Sequence, residues 1–109
     1  MKYYYQVEDD GTHYPLRAGT VESAWKEVEQ ALAKSHYTVG DSDTECTQWD
    51  VIELSAKEYT DVSRGLETIF IVEGERRGNP PIVLYACLYE EGKDEPIETH
   101  YYGLYPVNE

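Results

Sequence analysis

Apolar and polar residues alternate from Lys2 to Glu8 and again from Thr12 to Ala18, on either side of Asp9-Asp10-Gly11. Period-two alternation around an Asp-Gly pair predicts a β-hairpin with a two-residue turn, because Asp10 and Gly11 tolerate the positive φ that such a turn needs. The implied register sets Val7 opposite Tyr14, Tyr5 opposite Leu16 and Tyr3 opposite Ala18, with Glu8 facing His13 and Tyr4 facing Arg17 on the other side. Pro15 has no backbone donor and places the second strand at an edge or a bulge. The period then lengthens to that of a helix. Val21, Ala24, Trp25, Val28, Ala31 and Leu32 form one apolar stripe behind Thr20, a natural N-cap, and the helix is expected to end near Ser35.

Past the polar stretch 41–46, Trp49, Val51, Ile52 and Leu54 mark a strand over 47–54. Its apolar residues change sides, which predicts a bulge near Val51. Ser55-Ala56-Lys57-Glu58 fits a capping box for a short helix over 56–63, with Gly65 closing it at C′. Leu66–Glu73 and Ile82–Tyr89 are apolar on both faces, as central strands are, and 97–105 alternate as a last strand. The expected fold is α+β over a single domain, 1–109. It is a mainly antiparallel sheet of five to six strands with one long amphipathic helix on one face, in the order ββαβ(α)βββ.

Charge changes what such a fold can bind. The 109 residues carry 22 Asp and Glu against 9 Lys and Arg, a formal net charge of −13, so the chain repels free nucleic acid and anionic membrane and attracts basic proteins. The imbalance is local: residues 1–40 hold 6 acids and 4 bases, residues 41–109 hold 16 acids and 5 bases. Carboxylates cluster at Asp41, Asp43 and Glu45, at Asp50 and Glu53, and at Glu90, Glu91, Asp94, Glu95 and Glu98. If these segments share a face, they present a row of anions to a partner whose groove is built for phosphates. A solvated acidic surface serving only solubility is the plainer alternative.

Several chemistries find no support. Asp41, Asp43 and Glu45 open like a calcium loop, but Cys46 stands where its glycine belongs and Ile52 where its closing Glu belongs, so no metal or cofactor is expected. Gly74-Glu75-Arg76-Arg77-Gly78 lacks the spacing and the lysine of a phosphate loop, which excludes an ATPase of that type. The start Met1-Lys2-Tyr3-Tyr4 runs directly into strand pattern, and no apolar run approaches the roughly 20 residues needed to cross a bilayer, which points to the cytoplasm. Cys46 and Cys87 form no zinc pattern and are read as reduced thiols, with a single bridge between them as the alternative. His100 is the one histidine placed to act as a base, with Cys87 or nearby carboxylates, in an enzymatic reading.

Eleven tyrosines add a second surface hint. Tyr3, Tyr5 and Tyr14 are expected in the core. Tyr85, Tyr89 and Tyr102 have parities that place them on one outer face beside Tyr4, either free for recognition or covered by the short helix.

In its small size, its acidity, its tyrosine content and the carboxylate clusters Asp41-Ser42-Asp43-Thr44-Glu45 and Glu90-Glu91-Gly92-Lys93-Asp94-Glu95, the chain resembles phage-encoded inhibitors of the anti-CRISPR and anti-restriction kind. The likeness covers the whole chain and is one of size, charge and composition, without a shared motif. It implies a stoichiometric inhibitor acting in the host-cell cytoplasm on a CRISPR effector or another defence nuclease. The expectation is therefore a non-catalytic domain whose carboxylates engage a basic nucleic-acid-binding protein, with Tyr101 and Tyr102 giving specificity. The alternative is a structural or assembly domain that homodimerises through a strand edge or a tyrosine face.

Overall fold

The computed structural model describes residues 2–38, 45–66, 71–72, 75–76 and 78–107. In chain order the elements are β1 (Tyr3–Val7), β2 (Tyr14–Pro15), α1 (Val21–Ala33), β3 (Tyr37–Thr38), β4 (Glu45–Cys46), β5 (Trp49–Leu54), α2 (Ala56–Ser63), β6 (Ile71–Val72), β7 (Glu75–Arg76), β8 (Ile82–Glu90) and β9 (Glu98–Pro106). The main sheet has five strands in the order β2-β1-β8-β9-β5, and every pairing in it is antiparallel. The class is α+β as the pattern implies, without a sixth strand in this sheet among the described residues. Its larger helix is 13 residues, of ordinary rather than exceptional length.

Both helix starts follow from local chemistry. The Thr20 side chain accepts from the Ser23 backbone N–H, capping α1, and its apolar stripe buries Ala24, Trp25, Val28 and Leu32. Ser55 and Glu58 make the reciprocal capping box of α2. Gly65, at φ 80°, ends α2 in a Schellman turn: Leu66 N–H donates to Asp61 O and Gly65 N–H to Val62 O.

The sheet separates two layers. Alternation sends Tyr3, Tyr5, Leu84, Ala86, Leu88, Tyr102 and Leu104 under α1 as the core. Each large apolar side chain removed from water there contributes about 1.5–3 kcal/mol. On the opposite face α2 brings Tyr59 against Tyr85 and Tyr101, and Pro80 seats over Gly103, where a Cβ would stand 2.6 Å from the proline ring.

Four expectations need correction. The first hairpin turns over six residues, 8–13, with Glu8 and Gly11 at positive φ and Thr12 N–H donating to Asp10 Oδ1, so the register is Tyr5 opposite Tyr14 and Tyr4 opposite Pro15. The two-residue slip keeps every side chain on its expected face but leaves Tyr14 exposed, stacked on Tyr5. Strand β5 carries no bulge: its register against β9 is continuous, and both of its faces are apolar because one meets α1 and the other α2. Of the central strand expected at Leu66–Glu73, residues 67–70 and 73 lie outside the described residues. Its described part, Ile71–Val72, pairs with β7 apart from the main sheet, and Leu66 is exposed.

Candidate functional site

Strand β9 organises a connected group of polar side chains. Its alternation directs Glu98, His100 and Tyr102 to the α1 face, and α1 supplies Trp25 and Glu29 one helical turn apart. The His100 ring lies flat on Trp25, with centroids 3.7 Å apart and planes 4° from parallel. Trp25 Nε1 donates to Glu98 Oε1 at 2.6 Å, and the same oxygen lies 3.4 Å from His100 Nε2. Across the ring, Nδ1 stands 3.8 Å from Glu53 Oε2 on β5 and 3.4 Å from the Tyr102 hydroxyl. That hydroxyl donates to Glu29 Oε2 at 3.2 Å. Having given its one proton to Glu29, it receives rather than gives in its contact with His100.

Tyr102 is fully buried. Burial, and then the Glu29 carboxylate beside it, hold its phenol far above the ordinary tyrosine range, so it remains a neutral donor rather than a base. Glu98 and Glu53 keep about half or more of their side-chain surface in water, at 47% and 60%. The cluster therefore fixes exposed carboxylates on a buried aromatic base. Among the described residues no set of three His, Cys, Asp or Glu side chains is arranged to hold a metal ion.

The sequence-derived site residues divide as follows. Asp41 and Asp43 lie outside the described residues, and Glu45 is described only as a backbone position of β4. Glu98 and Glu53 are brought together about His100. Asp50, opposite Tyr105 in the β5–β9 register, lines a shallow cleft with Lys26 and Glu29 between α1 and β5. From Glu98 to the level of Asp50 is seven residues of β9, about 24 Å of strand. Glu91, Asp94 and Glu95 are exposed in the β8–β9 turn, and Glu90 is half-buried at its base. Glu53 and Glu98 share the α1 face, Asp50 alternates to the opposite face at the β5 edge, and Glu90 and Glu91 lie beside β1, where Glu90 pairs with Tyr3 and Glu91 N–H donates to Lys2 O.

The tyrosine pair separates. Tyr101 is half-buried against Tyr59 and Tyr85, whereas Tyr102 belongs to the core and offers no surface to a partner. Its place on an outer face beside Tyr85 and Tyr89 is corrected by its pairing with Leu84 beneath α1. On the outer face α2 covers Tyr85 and Tyr101, while Tyr4 stacks on Tyr89 and on His13 beyond it. His13 thus meets Tyr4 rather than Glu8.

Nor does a Cys87–His100 pair form. Cys87 is on the α2 face, its Sγ 3.5 Å from Thr99 Oγ1, while His100 is on the α1 face. Both thiols are free, and Cys46 donates to Gln48 O. Sequence reasoning missed Trp25 and Glu29 as partners of His100. The available signal was the shared parity of Glu98, His100 and Tyr102, but the direction in which α1 crosses the sheet is not written in any local pattern.

Comparison with models of protein families, with curated proteins and with solved structures gives no match for this chain. Among the described residues no helix is long and apolar enough to cross a membrane.

Proposed function

We propose that this chain is a non-catalytic protein-binding domain that presents the β9–β5 carboxylate row to a basic, nucleic-acid-handling partner and inhibits it by occupying its phosphate-binding groove. The observation that carries this reading is the placement of Glu98 and Glu53 around His100 and Trp25, which holds exposed anions on a rigid base. Glu29, Glu53 and Glu98 gather on the α1 face, Asp50 adds a carboxylate at the β5 edge about 24 Å along the strand from Glu98, and the turn adds Asp94 and Glu95, with Glu90 and Glu91 towards β1. One DNA strand shows about seven phosphates over the same axial length. Four carboxylates, Glu29, Asp50, Glu53 and Glu98, are fewer than these seven phosphates, and much fewer than the roughly fourteen of a duplex, so the surface matches part of one strand's track rather than a whole duplex. A CRISPR effector or another defence nuclease is the partner class that the composition favours, with this chain as its phage-encoded inhibitor.

The test is retention of a nucleic-acid-binding protein on the immobilised chain at low salt, its displacement by DNA or RNA, and its loss at high salt. A partner held equally at both salts and indifferent to nucleic acid would overturn the reading.

A second reading has one observation in its favour: among the described residues β5 is an edge of the main sheet, six residues long, through which two copies could pair. Antiparallel self-pairing over the full strand would set Asp50 opposite Glu53 twice, and like charges directly opposite are destabilising. Light scattering separates the two, since this dimer would strengthen with salt whereas the heterologous complex would weaken.

A further inference from the structure

The opposite margin of the sheet has the opposite character. Leu16 N–H donates to Tyr3 O, which extends the β1–β2 register by one pair beyond Tyr4–Pro15, and Lys2 and Arg17, the residues next beyond that pair, line one cleft. Among the described residues neither cation has a carboxylate within 4 Å. Two like charges lining one cleft repel. In a chain of net charge −13 they are an unexpected pair to leave uncompensated.

They line a cleft of about 690 Å³ together with Tyr4, His13 and Pro15, with Glu91 also in its wall. That size suits a small molecule. One wall is aromatic: Tyr4 and His13 are stacked with centroids 4.5 Å apart. The backbone beneath the cations is anchored, because the Glu27 carboxylate accepts from the Arg17 and Ala18 N–H groups at 3.0–3.1 Å. Glu27 is thus engaged with the main chain.

We propose that this cleft binds a small aromatic anion, a planar ring bearing a phosphate or carboxylate, of which a nucleoside monophosphate is representative. The anionic group would lie between Lys2 and Arg17, relieving their repulsion, with the ring against the Tyr4–His13 wall. A long polyanionic strand would emerge from the cleft into the acidic field of the rest of the chain, and a mononucleotide-sized ligand does not. Glu91 is shared with the carboxylates of the proposed partner surface, whereas Lys2, Arg17, Tyr4 and His13 are not, so substitutions at Lys2 and Arg17 test this site separately.

The test is titration of the full chain with adenosine monophosphate, adenosine and inorganic phosphate, followed by amide chemical shifts. The monophosphate should perturb Lys2, His13 and Arg17 and bind at least tenfold more tightly than adenosine or phosphate alone. Lys2→Gln and Arg17→Gln, both at exposed positions where the fold is not at risk, should each weaken it about tenfold. Glu91→Gln removes the one carboxylate in the wall and should tighten binding. Absence of shifts at these residues, equal binding of phosphate alone, or affinity unchanged in both cation variants would overturn the proposal.

Discussion

The two margins of this sheet are built from the same kind of antiparallel strand and end with opposite charge. At the β9–β5 margin, carboxylates from two strands and a helix gather around a histidine stacked on a buried tryptophan. At the β1–β2 margin two cations line one cleft with an aromatic pair, where Glu91 stands in the wall and the Glu27 carboxylate is engaged with backbone amides. Net charge alone would have assigned the whole surface to basic partners. The contrast teaches that register decides which charges become neighbours, and that a formal charge of −13 leaves room for a cationic cleft.

The contrast breaks most completely at Trp25. Trp25→Ala removes a core ring, the donor to Glu98 and the platform under His100, and should cost about 3–5 kcal/mol in urea denaturation. The acidic margin would lose its base while the Lys2–Arg17 cleft kept its register. Next is Gly103→Ala in the middle of the sheet. Its Cβ meets the stiff Pro80 ring, so strain of about 1–3 kcal/mol is expected, read as a lowered denaturation midpoint with both margins intact.

Smaller effects sharpen the comparison. Glu27→Ala should cost about 1 kcal/mol and speed amide exchange at Arg17 and Ala18 without disturbing the His100 cluster. Tyr102→Phe should cost a similar amount, about 1 kcal/mol, by freeing Glu29 and His100 from their shared hydroxyl. It also bears on alkaline stability. Folding raises the Tyr102 phenol above its ordinary 10.0, so its contribution is fully present below pH 10 and is lost as pH rises further, where the unfolded chain ionises and the folded chain does not. Ultraviolet detection of tyrosinate alongside circular dichroism should show the last tyrosine ionising only as the wild-type fold is lost, and Tyr102→Phe should unfold at higher pH.

Sequence reasoning reached what is local. Thr20, the Ser55–Glu58 box and the Gly65 stop each act within a few residues, and all three stand where the pattern places them. The first hairpin was legible in its faces and not in its register, because Asp10 receives the Thr12 amide in a longer turn than the Asp-Gly pair suggests. Tyr102 was misplaced for a different reason. Both parities of β9 carry tyrosines, so only the docking of α1 decides which set is core. Glu53 and Glu98 were legible as charges, but their meeting at His100 depends on β5 joining β9 across more than 40 residues of chain.

The central claim is that the β9–β5 margin is a binding surface for a phosphate-handling protein, and it is tested most directly by charge reversal at positions that carry no core packing. Asp50→Lys, Asp94→Lys and Glu95→Lys, combined in one chain that retains the wild-type circular dichroism, should weaken capture of the nucleic-acid-binding partner at low salt by at least tenfold. The Lys2→Gln, Arg17→Gln chain should capture it undiminished. Equal capture by the reversed chain, with the fold intact, would contradict the account.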